Sequence, residues 1–153
     1  MMKNREAGLV SVVIPCYNAA PFIEDCLNGL LSQTYKKIEV ILVNDASTDH
    51  TQKVVEQWIK KSKPQFPISV CNLPINTGFA GAITIGYFMS SGEYIAVNDA
   101  DDISHSLRFE KQVDFLLKNP DYDLVGSNYQ VFTDVNKKES GQKANWLGYG
   151  DSI

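Results

Sequence analysis

Short apolar runs alternate along the chain with segments whose apolar residues recur every three to four positions. Leu9–Ile14 is a run rich in β-branched residues closed by Pro15, which predicts a buried strand. Phe22, Ile23, Cys26, Leu27, Leu30 and Leu31 then make one stripe of a helix. Ile38–Val43 predicts a second strand, followed by the polar turn Asn44–Asp49. Val54, Val55, Trp58 and Ile59 mark a second helix, and the lysines of Lys60–Lys63 suit its carboxyl end. Ile68–Leu73 reads as a third strand. Gly81–Ser91 reads as a mostly buried helix ended by Gly92, and Tyr94–Val97 as a fourth strand. Phe109, Val113, Leu116 and Leu117 predict a helix stopped by Asn119-Pro120, and Asp123–Phe132 a last strand. The tail from Asp134 is polar and receives no assignment.

This alternation with short loops predicts an α/β domain spanning residues 1–153, Rossmann-like, with a mainly parallel sheet and helices on both faces. Composition agrees: of 153 residues, 44% are apolar and 21% charged, which excludes disorder and coiled coil. A net charge of −4 argues against a general nucleic-acid binder and favours a cation, or a phosphate held through one. Cys16, Cys26 and Cys71 form no CxxC pair and are expected to be reduced. Pro64–Gly92 carries no charge, but Pro67, Asn72, Pro74 and Asn76 interrupt it and its apolar core Phe79–Met89 is too short for a span. Leu9–Ile14 is likewise too short for a signal-peptide core. No transmembrane segment is expected.

Ligands of open parallel sheets bind outside the carboxyl ends of the strands. The four predicted strands are followed by Pro15-Cys16-Tyr17-Asn18, Asn44–Asp49, Asn76-Thr77-Gly78 and Asp99-Ala100-Asp101-Asp102. Three carboxylates within four residues repel one another unless a cation lies among them. Mg²⁺ or Mn²⁺, held by one or two carboxylates plus substrate phosphate, would satisfy that loop. Asp101, Asp102 and Ser104 equally suit a helix N-terminus. Asp45 is placed to accept a hydrogen bond from a base or ribose, or to build a turn with Ser47, Thr48 and Asp49. Tyr17 suits a nucleobase neighbour or the rim of the core.

Together, Ser11–Tyr35, Val40–Thr51, Asn76–Gly86 and Gly92–Leu116 resemble the nucleotide-sugar-binding half of family 2 glycosyltransferases of the GT-A fold. The resemblance covers about residues 9 to 130, with its motifs in order. It implies that Pro15 and Tyr17 lie beside the base, that Asn18 belongs to the same nucleotide site, and that Asp45 binds the base, commonly uracil. It further implies that Asn76 and Gly78 belong to the nucleotide site, that Asp99 lies near the ribose, and that Asp101 holds Mn²⁺ or Mg²⁺ on the diphosphate. Inverting transfer from a nucleoside-diphosphate sugar, with a UDP-sugar expected, follows from the resemblance alone. So does a role in polysaccharide or glycoconjugate synthesis on the cytoplasmic side.

Two departures stand out. The family's third loop often carries Ala-Arg-Asn where this chain has Ala82-Ile83-Thr84. The family's general base lies well downstream of the acidic loop, and only 52 residues follow Asp101 here. The base and the acceptor site are therefore expected beyond Ile153, and the chain to be the donor-binding portion. His105 reads as a solvated residue rather than a base. The alternative reading is a nucleotide-sugar-binding module without transfer, and an uncovered apolar patch predicts self-association.

Overall fold

The computed structural model describes residues 5–129 and 131. Strand β1 (Glu6–Cys16) leads to α1 (Ile23–Leu31), β2 (Ile38–Asn44), α2 (Thr51–Ser62) and β3 (Ile68–Asn72). Helix α3 (Gly78–Met89), β4 (Gly92–Val97) and α4 (Arg108–Lys118) follow. The four strands form one parallel sheet in the order β3-β2-β1-β4. Each crossover contains a helix, as parallel pairing requires.

Both faces of the two central strands are buried, which is why β1 and β2 read as continuous apolar runs. On one face Val10, Val12, Ile14, Val40 and Leu42 pack with Ile23, Cys26, Leu27 and Leu30 of α1. Val55 and Trp58 of α2 and Phe109 and Val113 of α4 complete that layer. On the other face Ile41 and Val43 pack with Ala82 of α3. The expectation of helices on both faces holds.

Several expectations change. Helix α3 is not mostly buried: Ala82 and Gly86 are its buried residues, whereas Phe79 and Phe88 are 61% and 82% exposed. Its apolar residues run right round the helix, and only one side meets the sheet. Phe22, assigned to the stripe of the first helix, precedes α1 and is half exposed. The strand predicted over Asp123–Phe132 does not form among its described residues. Those residues pair with no strand of the sheet, and Leu124 is 85% exposed. The tail from Asp134 lies outside the described residues. No described helix is long and apolar enough to cross a membrane.

The strand order creates the site. From β1 the chain moves outward through β2 and β3, then returns to the other side of β1 as β4. The crevice between the carboxyl ends of β1 and β4 is the topological switch point. Pairing of β1 with β4 ends at Val13 and Val97, with the Asn98 amide donating to the Val13 carbonyl at 3.0 Å. Pro15 is two residues on, on the same edge, and has no N–H to extend the ladder. The two chains therefore part there.

Candidate functional site

A cavity of about 280 Å³ opens at this parting, lined by Pro15, Tyr17, Asn18, Phe22, Phe79, Asp99 and Asp101 together with Ala19 and Ala100. Five predicted site residues thus meet on one cavity. Phe22 and Phe79 were not anticipated: an aromatic residue at helical spacing reads as core. Their partial exposure beside polar groups marks them as cavity walls.

Asp45, Asn76 and Gly78 form a second group. Asp45 is 3% exposed, and one carboxylate oxygen accepts from both the amide and the hydroxyl of Thr77. The Asn76 side chain donates to the Asp45 carbonyl at 3.2 Å and accepts the Gly78 amide at 3.0 Å. Gly78 has φ +75°, the left-handed conformation that glycine adopts without strain, and it starts α3. The second oxygen of Asp45 carries no hydrogen bond among the described residues. Asp45 is thus both a strut between two loops and a carboxylate with one oxygen to spare.

Asn18 joins the first two loops. In a left-handed conformation (φ 52°), it accepts the amides of Thr48 and Asp49 at 2.8 and 3.3 Å through its side-chain oxygen. Its own amide donates to Ser47 Oγ at 3.0 Å. Asp49 accepts the Thr51 amide at the start of α2 and the Ala20 amide. Asp49 therefore serves the turn and helix start, as one of the two sequence alternatives has it.

The acidic loop is not a helix cap. Helix α4 starts at Arg108, with no side-chain hydrogen bond at its cap residue Leu107. The carboxylates of Asp99, Asp101 and Asp102 are exposed and accept no hydrogen bond among the described residues. Desolvation, then the neighbouring Asp102 and Asp101, push the Asp99 carboxyl above its ordinary range, and Arg108 opposes this. A cation would relieve that repulsion. The described residues hold no cluster of three or more His, Cys, Asp or Glu side chains fit to enclose a metal. Asp101, with Asp99 beside it, fits instead the shared mode in which substrate phosphates complete the shell of Mg²⁺ or Mn²⁺.

His105 is exposed, and its Nδ1 accepts the Leu107 amide at 3.2 Å, a local turn contact. All three cysteines are free. Burial is the main cause that pushes the Cys16 and Cys26 thiols up to about 12, so both are packing residues rather than nucleophiles.

The profile of the family described as Glycosyl transferase family 2 matches residues 11–152. The chain belongs to that family, and its sheet is of the GT-A type. It is 36% identical to an uncharacterized glycosyltransferase of Haemophilus influenzae over 133 residues, 87% of this chain and 39% of the relative. It is also 36% identical to the putative teichuronic acid biosynthesis glycosyltransferase TuaG of Bacillus subtilis, over 72% of this chain and 42% of TuaG. Among solved structures, S. aureus TarS 1-349 in complex with UDP superimposes with a TM-score of 0.65 and 28% identity, covering 72% of this chain and 32% of that chain. The mannosyltransferase PcManGT of Pyrobaculum calidifontis, in complex with GDP-Man and Mn²⁺, gives 0.57 and 34%, covering 60% of this chain and 27% of that one. The chain thus spans about two fifths of the length of these curated relatives.

Proposed function

We propose that the chain carries the donor side of a metal-dependent glycosyltransferase. Its substrate in this reading is a UDP-sugar, and the sugar passes to an acceptor hydroxyl in polysaccharide or glycoconjugate synthesis on the cytoplasmic side. The observation that supports this best is the switch-point cavity, which sets aromatic walls and unpartnered carboxylates side by side. Tyr17 and Phe79 offer flat apolar surface to a base, with Pro15 and Asn18 shaping the same wall. Asp45, braced by Thr77 in the loop of Asn76 and Gly78, offers its second oxygen to the N3–H of uracil. Asp99 accepts from ribose hydroxyls. Asp101 would hold Mn²⁺ or Mg²⁺ beside the diphosphate. When bound, that ion supplies Lewis-acid neutralisation of charge on the departing nucleoside diphosphate.

A second reading, a nucleotide-sugar-binding unit that performs no transfer, is favoured by one observation: the carboxylates that line the cavity among the described residues, Asp99 and Asp101, are both taken by ribose and ion in the first reading, which leaves neither as a base. One experiment separates the two. The 153-residue protein is incubated with Mn²⁺, labelled UDP-sugars and hydroxyl acceptors, while calorimetry follows UDP binding. Binding with glycosylated product supports the first reading, and binding without product the second. No binding of any nucleoside diphosphate would sink both.

A further inference from the structure

Arg108 is the first residue of α4, where a positive charge opposes the helix dipole. Its surroundings explain the violation. Nη2 donates to the Val97 carbonyl at 2.9 Å, and Nη1 donates to Asn98 Oδ1 and Ser104 Oγ, each at 2.9 Å. Val97 enters the acidic loop and Ser104 leaves it, so one guanidinium grips both ends. Asn98, 2% exposed, spans the interior: its side-chain nitrogen donates to the carbonyls of Asp99 at 2.9 Å and Asp102 at 3.2 Å. Residues 97–104 are thereby closed into a ring around polar groups of their own backbone. The carboxylates of Asp99 and Asp101 are left outside the ring, on the cavity. Arg108 Nε is, among the described residues, the one buried side-chain nitrogen or oxygen without a hydrogen-bond partner. An unpartnered buried donor is a cost. This arginine is held by its fork and its position, not by complete satisfaction.

We infer that Arg108 is the positioning residue of the acidic loop, a fixed internal cation whose planar fork pre-forms residues 97–104 before any ligand arrives. Its charge lies beneath carboxylates that would otherwise drive the loop apart. Its rigid planar fork serves three acceptors from two nitrogens, which a lysine's single ammonium cannot reproduce. Pre-forming the loop means that nucleotide and ion need not bear its ordering. The inference rests on the donor-site reading for what the loop binds, but not for what Arg108 does to the loop.

The test uses Arg108→Met, which keeps the apolar stem, and Arg108→Lys, which keeps the charge and loses the fork. Amide hydrogen exchange is measured on the ligand-free proteins, and UDP affinity with Mn²⁺ by calorimetry. Both variants should exchange amides 98–104 at least about tenfold faster while β1 and β2 keep their protection. Where amides 98–104 exchange at nearly the unprotected rate, so that the loop is ordered only about a tenth of the time, the apparent Kd for UDP with Mn²⁺ rises about tenfold. Unchanged protection of 98–104 in Arg108→Met, or loss spread evenly over the sheet, would overturn the inference. If Arg108→Met does not fold, Ser104→Ala removes one acceptor of the fork and must show the same local loss on a smaller scale. If the unaltered protein binds no nucleotide, the donor-site reading fails, and the exchange measurement still decides the role of Arg108.

Discussion

Thr77 donates both its amide and its hydroxyl to a single carboxylate oxygen of Asp45, at 2.7 and 2.9 Å. This pair locks the loop after β2 to the loop after β3 and turns the other oxygen of Asp45 away from structural duty. Asp45→Ala is therefore a poor probe of binding, because it also removes both hydrogen bonds that lock the loops, each worth about 0.5–1.5 kcal/mol in stability. Asp45→Asn separates the two roles. Its oxygen still accepts from Thr77, while an NH₂ replaces the free oxygen. Uracil presents an N3–H donor there, and cytosine an acceptor. Asp45→Asn should keep the melting temperature, weaken UDP by about 1–3 kcal/mol and strengthen CDP relative to UDP. Competition calorimetry checks this, and an unchanged UDP:CDP ratio would leave Asp45 a strut alone.

The aromatic walls give a second expectation. Tyr17 and Phe79 are 51% and 61% exposed, so removing either ring costs the core little. Stacking on a base is worth about 1–3 kcal/mol. Phe79→Ala and Tyr17→Ala should each weaken UDP by that order and leave the urea midpoint in place. Equal loss with uridine and guanosine diphosphates would identify the rings as stacking surfaces, since every base has a face to offer.

Asp101 carries the metal expectation. With Asp101→Ala, the gain in UDP affinity that Mn²⁺ confers should vanish, while affinity in EDTA stays as in the unaltered protein. Calorimetry that shows the same affinity for the unaltered protein with and without EDTA would remove the ion from the site.

What the sequence disclosed, and what it withheld, follows from where each signal resides. Val12, Val13, Val40 and Val43 lie in runs buried on both faces, so the central strands are legible as runs. The four loops were legible because strand order alone brings their ends together. Asp123–Phe132 has the composition of a strand, but a strand also needs pairing, which composition does not report and which its described residues do not make. The Arg108–Asn98 contact joins residues ten apart across a loop whose path is fixed only by the fold. Phe79 is apolar at helical spacing, and only the open side of α3 distinguishes a wall from a core residue.

At the other end of the sheet, Glu39 ties β2 to the start of β4. One carboxylate oxygen accepts Ser11 Oγ at 2.5 Å and the Ser91 amide and hydroxyl at 2.8 Å each. Burial pushes its carboxyl up, but the hydrogen bonds from Ser11 and Ser91 outweigh this and hold it below the ordinary glutamate range. A folded-state value below the unfolded one means stability that is present at neutral pH. That stability falls away as pH drops below about 4.3 and through the folded value. Glu39→Gln should lower stability by about 1 kcal/mol at pH 7 and flatten the acid limb of the stability curve. Urea unfolding at several pH values measures both, and a variant with the same acid limb would exclude Glu39 as its source.

Gly86 sets how closely α3 lies on β1. A Cβ placed on it would fall inside van der Waals distance of both methyl groups of Val13, which is fully buried. The methyls belong to a short branched side chain with no flexible end to swing aside, so the helix itself must lift. Overpacking of this kind costs about 1–3 kcal/mol. Gly86→Ala should therefore destabilise the fold, even though alanine is by itself the better helix former. The same helix begins at Gly78 and carries Phe79 into the cavity wall, so a lifted α3 should also weaken UDP. Val13→Ala removes the two methyls and leaves room for the new one. By itself it costs the burial of those methyls, but combined with Gly86→Ala the penalties should not add. A double-mutant cycle in urea should show a favourable coupling of about 1 kcal/mol or more, with UDP affinity recovering alongside. Additive penalties would mean that α3 accommodates the methyl by another route, and that its seat on Val13 does not govern the position of Phe79.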